Sequence, residues 1–260
     1  MTFQPTSYRE RKAAGERLAM LTAYDYPTAR ILDESGVDLL LVGDSLGMVV
    51  MGHPDTTSVT LEDILHHSRM VVRGSARTPV VADMPIGTVD TVASGMAAAR
   101  RLMDAGVQAV KLEGGAEFAG VVRAMVDAGI PVMGHVGMLP QRVVQEGGYR
   151  IKGRTELEGE RLIADGIALQ EAGAFAVVLE LVHAPIAERM SAALAIPTIG
   201  IGSGPGCDGQ VLVTHDLIGL FPWFTPKFVR SRERIAERIG ECAASFAAEV
   251  RKPFAPAGTV

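Results

Sequence analysis

The sequence has few cysteines, few aromatic residues and no excess of basic charge. Two cysteines, Cys207 and Cys242, occur in 260 residues, too few for a disulfide framework and without the spacing of a structural zinc site. The net charge is -5 and no basic tract occurs, so nothing is available to neutralise a run of phosphates and nucleic-acid binding is not expected. The cysteine usage fits a reducing compartment, and we expect a cytoplasmic protein.

Long hydrophobic runs are also missing. No window approaches roughly eighteen consecutive apolar residues, and the N-terminal segment lacks the apolar centre of a signal peptide. We therefore expect neither secretion nor a membrane span. Hydrophobic residues make up 48% of the chain and charged residues 21%, which suits one large core. A single domain over residues 1–260 is predicted, with residues 251–260 as a flexible tail.

Short apolar runs alternate with longer helical patterns, as is typical of parallel βαβ units. Eight runs are predicted as strands: 18–23, 37–42, 79–84, 109–112, 131–135, 174–179, 198–201 and 210–213. Eight strands close a (β/α)8 TIM barrel, in which strands are apolar on both faces. An open doubly wound sheet is the alternative. A C-terminal amphipathic helix is predicted over residues 231–249.

Two kinds of connection stand out. Glycines follow the helical patterns at Gly36, Gly106, Gly129 and Gly173, where a left-handed helix end is easily formed. The segment 137–155 is rich in glycine, polar and basic residues and joins the fifth and sixth strands. Long connections of this kind are uncommon unless they are functional, and we predict an active-site loop.

Acidic residues lie at the ends of the predicted strands. Asp44, Asp83, Glu113 and Glu180 each stand at or just beyond the C-terminal end of a strand. In a barrel those ends converge at the catalytic face, where the acids would raise one another's pKa. A divalent cation resolves that repulsion, and oxygen ligands favour Mg2+ over zinc. Any one of the acids could instead cap a helix, but their conjunction favours a site.

Lys111 and His135 lie at comparable positions on neighbouring strands. Lys111 and Glu113 alternate about Leu112, so strand periodicity places both on the same face. A space-filling ion pair is the alternative to substrate binding, and His135 could be a core histidine bonded to backbone. The glycine-rich run 200–210 is weak as a nucleotide motif. It either allows a ligand to approach the backbone or supplies tight turns.

Several motifs together resemble one known family. They include VGDSLGMVVMGHPDTTSVTLEDILHHSRMV, VVADMPIG, AVKLEGG, PVMGHVGMLPQ, GGYRIKGRT, AVVLELV and IGIGSGPGCDGQVLVTHDLIG. Over roughly residues 5 to 230 the chain resembles the ketopantoate hydroxymethyltransferases. The resemblance implies a (β/α)8 enzyme of pantothenate and coenzyme A biosynthesis. It implies transfer of a hydroxymethyl group from methylene-tetrahydrofolate to 3-methyl-2-oxobutanoate through an enolate stabilised by Mg2+, in a homodecamer.

The resemblance also implies roles for individual residues. Asp44, Asp83 and Glu113 correspond to metal-associated carboxylates, and Glu180 to the catalytic acid/base. Ser45 and Lys111, with the two aspartates, correspond to groups that bind the 2-oxo acid, and His135 to a histidine behind the ligands. Two departures are Ser203, where the family more often has alanine, and SRERI after PKFVR, where an aromatic residue is expected.

Two other functions fit the same pattern. A Mg2+-dependent lyase or mutase of the phosphoenolpyruvate/isocitrate lyase type also handles 2-oxo acids, but it usually needs a mobile loop with a cysteine, and neither cysteine is suitably placed. A barrel that serves as a non-catalytic scaffold is the third possibility, because a fold does not fix a function.

Overall fold

Eight parallel strands form a closed barrel in the computed structural model, which describes residues 3–252. The strands are β1 (Leu18–Thr22), β2 (Leu39–Val42), β3 (Val80–Asp83), β4 (Ala109–Lys111), β5 (Val132–Gly137), β6 (Ala176–Glu180), β7 (Thr198–Ile201) and β8 (Gly209–Leu212). Each pairs with the next in chain order, and β8 pairs with β1. The predicted (β/α)8 barrel is therefore confirmed, and the open sheet is excluded because β8 closes on β1.

Helices follow the strands, except that the described segment between β7 and β8 contains none. Those of the described residues are α1 (Pro5–Ala13), α2 (Tyr26–Glu34), α3 (Leu46–Val49), α4 (Leu61–Gly74), α5 (Val92–Asp104), α6 (Ala119–Asp127), α7 (Glu156–Glu171), α8 (Ala184–Ala193), α9 (Thr214–Leu217) and α10 (Ile235–Val250). Short 3-10 turns occur at Ala116–Phe118 and Pro140–Arg142. The four glycines predicted to end helices all have positive φ. No helix in residues 3–252 is long and apolar enough to cross a membrane.

The described chain divides after Leu212 into two compact units. The first contains the whole barrel, and the second contains α9 and α10. The predicted helix over 231–249 begins four residues late, at Ile235. Before this point the Ser231 hydroxyl and the Arg232 N–H donate to the carbonyls of Asp216 and Leu217, so the segment bonds to residues near α9 and not along a helix. Of the tail predicted at 251–260, residues 253–260 lie outside the described residues.

The core forms two layers on either side of the barrel wall. Along β2, Leu39 and Leu41 belong to the cluster inside the barrel, whereas Leu40 and Val42 belong to the cluster between strands and helices. All four are buried, because consecutive strand residues point to opposite faces and both faces are covered. This explains why the strands are continuous apolar runs in the sequence.

The interior layer also fixes which polar side chains reach the barrel mouth. Val81, Ala109, Met133 and Val178 lie inside the barrel. Because a strand has a side-chain period of two, the residue two positions later points to the same side. Those residues are Asp83, Lys111, His135 and Glu180. The strands therefore direct three charged groups and an imidazole to the C-terminal end of the barrel interior.

Candidate active site

The acids at the strand ends gather at one end of the barrel, as predicted. Hydrogen bonds join Asp83 to Lys111 and to the backbone of Asp44, and the His135 ring lies between Glu113 and Glu180. The first three have relative exposures of 2–5%, and the side chain of Glu180 is 14% exposed. The structure thus brings together residues that lie up to 136 positions apart in the chain, from 44 to 180.

Asp83 accepts two of the hydrogen bonds that hold the site together, one with each carboxylate oxygen. Its Oδ1 accepts from Lys111 Nζ at 2.6 Å, and its Oδ2 accepts from the backbone N–H of Asp44 at 2.9 Å. The second bond fixes the turn that follows β2, so Asp44 lies beside Asp83. Burial alone would lower the pKa of Lys111, but Asp83, Glu113 and Asp44 raise it above its usual value. The lysine is therefore a buried, permanently charged ammonium group.

The two acids next to this pair hold protons more tightly than usual. Burial and the negative charge of Asp83 raise the pKa of Asp44 to about 7. Burial and Asp44 raise the pKa of Glu113 well above its usual range. Like charges held together without water disfavour ionisation. The cluster therefore carries more carboxylates than Lys111 can neutralise, which is the electrostatic signature of a site for a cation.

Glu180 and His135 form the other side of the site. His135 Nε2 lies 3.4 Å from Glu180 Oε2, and its Nδ1 lies 3.6 Å from Glu113 Oε1. Both distances are longer than a typical hydrogen bond. Burial and the charge of Lys111 lower the pKa of His135 well below its usual value, so the ring is neutral. Burial raises the pKa of Glu180 to about 8, although Lys111 acts in the opposite direction.

The backbone around Glu180 is held from three sides. Leu181 has φ of 47°, and it is the one non-glycine residue with positive φ among those described. The Ser203 hydroxyl donates to the Leu179 carbonyl at 2.7 Å and accepts from the Val182 N–H at 2.9 Å. A Cβ on Gly137, whose φ is 103°, would lie 2.3 Å from the Glu180 carbonyl oxygen. These contacts require glycine at 137 and hold the end of β6 in a fixed direction.

Ser203 belongs to the glycine-rich run 200–210, for which the sequence allows either close approach of a ligand or tight turns. In the structure the run packs closely on the protein itself, because a Cβ on Gly209 would lie 2.5 Å from the Leu18 carbonyl oxygen. Gly202 and Gly204 have positive φ. These contacts favour the tight-turn interpretation. No feature of the sequence predicted that the Ser203 hydroxyl would bond to the backbone on both sides of Glu180.

Two further residues of the site carry no signal in the sequence. Gln141, in the turn Pro140–Arg142, contacts both Asp44 and Glu113. The Tyr24 hydroxyl lies 2.7 Å from Ser45 Oγ and fixes the position of that half-buried serine. Neither was predicted. Gln141 lies within the segment 137–155, so the predicted active-site loop does bring a residue to the acids.

The carboxylates fit a hard divalent cation, but not as a complete protein cage. Within residues 3–252 no group of three or more His, Cys, Asp or Glu side chains is arranged to hold a metal ion. Asp44 and Asp83 are adjacent. Glu113 is joined to Asp44 through Gln141, whose backbone N–H donates to Glu113 and whose side chain donates to Asp44. Mg2+ commonly takes one or two carboxylates and completes its shell with water and substrate oxygens. Glu113 Oε1, buried and without a hydrogen-bond partner, is available to bind such a water.

Comparison with known proteins favours one of the three functions that the sequence allows. The family model described as Ketopantoate hydroxymethyltransferase matches residues 3–257. A 3-methyl-2-oxobutanoate hydroxymethyltransferase of Nitratidesulfovibrio vulgaris is 55% identical over 250 residues, covering 95% of this chain and 81% of the relative. The enzyme of the same name from Moorella thermoacetica is 51% identical over 243 residues, covering 93% of this chain and 90% of the relative.

Solved structures with little sequence identity share the fold. A 2,3-dimethylmalate lyase, a member of the PEP mutase/isocitrate lyase superfamily, superposes with a TM-score of 0.66 at 20% identity, covering 100% of this chain and 92% of that one. At this identity the likeness concerns the barrel alone.

Proposed function

The chain belongs to the ketopantoate hydroxymethyltransferase family, and we propose that the acid cluster at its barrel mouth is where it forms ketopantoate. The enzyme transfers a one-carbon unit to 3-methyl-2-oxobutanoate, a reaction of pantothenate biosynthesis. One observation supports the location above all: buried Asp44, Asp83 and Glu113, with the partly buried Glu180, lie around a charged lysine at the end of a closed barrel. We further propose that methylene-tetrahydrofolate donates the unit and that Mg2+ is the cofactor.

Asp44 and Asp83 would hold the cation, with Glu113 bound to it through water. When bound, Mg2+ would withdraw charge from the carboxylate and ketone oxygens of the 2-oxo acid and make its C3 proton more acidic. Asp44, Asp83, Ser45 and Lys111 surround the place where those oxygens would lie. The raised pKa values of Asp44 and Glu113 support this assignment, because a divalent charge favours their ionised forms.

Lys111 would stabilise charge on the substrate. Its ammonium group is fixed by Asp83 at 2.6 Å, so it does not have to reorganise during the reaction. As the C3 proton leaves, the ketone oxygen gains negative charge, and a donor already in place stabilises that charge most effectively. Ser45, whose hydroxyl is held by Tyr24, would donate a second hydrogen bond to the 2-oxo acid.

Glu180 would remove the C3 proton. Its pKa of about 8 makes its carboxylate a stronger base than an exposed glutamate, and a base is most effective when its pKa lies near the working pH. The neutral His135 ring beside it limits the positions that the carboxylate can adopt. The carbanion at C3 would then attack the methylene carbon of the folate as one of its two C–N bonds breaks and the electron pair goes to that nitrogen. Water would replace the second nitrogen, which leaves a hydroxymethyl group on C3 and releases tetrahydrofolate.

The pH dependence of proton exchange follows from the raised pKa of Glu180. A base must be ionised to act, so the rate of C3 exchange should rise about tenfold per pH unit below the pKa and level off above it. A bound cation favours the ionised carboxylate, and the midpoint should therefore lie at or below 8. Proton NMR of 3-methyl-2-oxobutanoate in D2O buffers measures the rate. A rate that does not change with pH would contradict Glu180 as the base.

The rival activities are less well supported. Likeness to the lyase concerns the fold alone, whereas relatives at 51–55% identity over more than nine tenths of the chain carry the transferase name. A non-catalytic scaffold would have no need to bury so many carboxylates around one lysine, because buried charge costs stability.

An assembly of several copies is also proposed, with a homodecamer expected from the family resemblance. Helix α10 has no buried residue, and it exposes Ile239, Phe246 and Val250 by 54–68%. Exposed large apolar residues on one helix are typical of a protein interface. Small-molecule substrates are the other partners that we propose. The described cysteines are both free, which fits the reducing cytoplasm proposed as the location.

The proposed function is tested by following 3-methyl-2-oxobutanoate in the presence of methylene-tetrahydrofolate. Consumption should require the folate, stop when EDTA removes divalent cations and resume when Mg2+ is restored in excess. Consumption without folate would favour the lyase alternative. Folate-dependent consumption that persists after complete removal of the metal would exclude a cation from the mechanism.

A further inference from the structure

Gln141 connects the loop after β5 with two of the acids. Its side-chain Nε2 donates to Asp44 Oδ2 at 2.9 Å and to the Met84 carbonyl at 3.1 Å. Its backbone N–H donates to Glu113 Oε2 at 3.0 Å. The residue is 7% exposed. Gln141 therefore contacts the Asp44 side and the Glu113 side of the cluster at the same time, through different parts of the same residue.

The orientation of the amide is fixed by its partners. A carboxylate oxygen and a backbone carbonyl both accept hydrogen bonds, so the nitrogen of the amide must face them. The two N–H groups are thereby both used. Because the amide is neutral, it donates a hydrogen bond to Asp44 without neutralising the negative charge of the carboxylate, as a second lysine would. The remaining lone pairs of the carboxylate stay available for a cation.

The Asp44 carboxylate is more prone to rotate out of position than most metal ligands. The terminal torsion of an aspartate is soft, and the repulsion from Asp83 that helps to raise the pKa of Asp44 also favours rotation of the carboxylate away from its neighbour. A hydrogen bond from behind opposes that rotation. Groups that orient metal ligands in this way commonly affect metal affinity by about 10–100-fold.

The same contacts hold the loop that runs from residue 138 to residue 155, which we call the mouth loop. Beyond Gln141 its chain turns through Gly147 and Gly148, both with positive φ. A Cβ at either glycine would meet no atom within 4 Å. The Tyr149 hydroxyl makes only a weak contact with Met48 Sδ, at 3.8 Å. The two ends of the mouth loop are held by backbone bonds, from the Met138 N–H to the Glu180 carbonyl and from the Lys152 N–H to the Leu181 carbonyl. Between these ends, Gln141 bonds directly to Asp44 and Glu113.

We propose that Gln141 is a positioning residue that sets Asp44 for cation binding and couples the order of the mouth loop to occupation of the site. This inference rests on the proposed function, since it presumes a cation at Asp44 and Asp83. Coupling is reciprocal in a binding equilibrium. A cation that fixes Asp44 therefore strengthens the attachment of the loop, and a firmly attached loop raises the affinity for the cation.

The test compares three variants of the full-length protein with Mn2+ as the probe. Gln141→Met keeps the side-chain length and removes both donors, and Gln141→Ala is a second variant in case the first packs poorly. Arg142→Ala is the matched control, because Arg142 is the next residue, is partly exposed and pairs with Glu117 on the outside. Mn2+ affinity in the presence of 3-methyl-2-oxobutanoate is measured by electron paramagnetic resonance, and amide hydrogen exchange is followed over residues 143–150.

The Gln141 variants should bind Mn2+ about 10–100-fold more weakly than the wild type. They should also lose the protection that the cation gives to amides 143–150, whereas Arg142→Ala should keep both properties. The thermal midpoint separates these effects from a general loss of stability, which would leave the affinity of the folded fraction unchanged. If a folded Gln141 variant binds Mn2+ within twofold of the wild type, the inference is wrong and the proposed function stands. If the wild type binds no Mn2+, both are wrong.

Discussion

Asp83→Asn should abolish cation binding and, with it, proton exchange at C3 of 3-methyl-2-oxobutanoate. Asparagine has nearly the same shape, but its amide cannot accept from both Lys111 and the Asp44 N–H, as the carboxylate does. It also removes a negative charge at the place where the cation would lie. We expect exchange to fall by roughly a thousandfold or more, because the electrostatic stabilisation of the reacting oxygen is lost together with the cation.

The measurement for Asp83→Asn combines Mn2+ titration with proton NMR of the 2-oxo acid in D2O. Asp90→Asn is a suitable control, since Asp90 follows the same strand at an exposed position, and it should behave as the wild type does. A thermal denaturation curve establishes that the variant is folded. Cation affinity within a few-fold of the wild type in a folded Asp83→Asn protein would remove Asp83 from the ligands.

Glu180→Gln should separate binding from chemistry. The variant keeps the shape of the side chain and leaves Asp44, Asp83 and Lys111 in place, so the affinities for the cation and the 2-oxo acid should change little. Removal of the C3 proton should slow by about a hundredfold to ten-thousandfold, which is the usual contribution of a positioned base. The pH dependence associated with the raised pKa of Glu180 should also disappear.

Exchange of the C3 proton into D2O is the decisive assay for this variant, because exchange needs no folate. Glu188→Gln provides the control, since Glu188 is exposed on α8, the helix that follows Glu180. Undiminished exchange in Glu180→Gln would show that another group removes the proton. Loss of 2-oxo acid binding would instead mean that Glu180 acts in substrate binding.

Much of the barrel follows from the order of apolar residues in the sequence. Strands such as 198–201 are predicted with their observed bounds, because a short run that is buried on both faces cannot be a surface helix or a loop. Others differ by one or two residues at an end, as β4 does, which stops at Lys111. Strand ends depend on pairing with neighbours, and those neighbours are distant in sequence.

The charged part of the site is predictable for the same geometric reason. Asp83 and Lys111 lie two residues after interior positions, so periodicity alone directs them to the barrel mouth. Gln141 and Ser203 could not be found in this way. Their contacts depend on the folds of two loops, and the Gln141 backbone N–H that binds Glu113 leaves no trace in the sequence at all.

The central claim is that Asp44 and Asp83 share one hard cation with a 2-oxo acid at the barrel mouth. The most direct measurement is an anomalous difference map from crystals grown with Mn2+ and 3-methyl-2-oxobutanoate. The account predicts one strong peak at coordination distance from carboxylate oxygens of both aspartates, with the 2-oxo acid completing the shell and Lys111 beside it. A peak bound elsewhere, or a 2-oxo acid bound away from these aspartates, would contradict it.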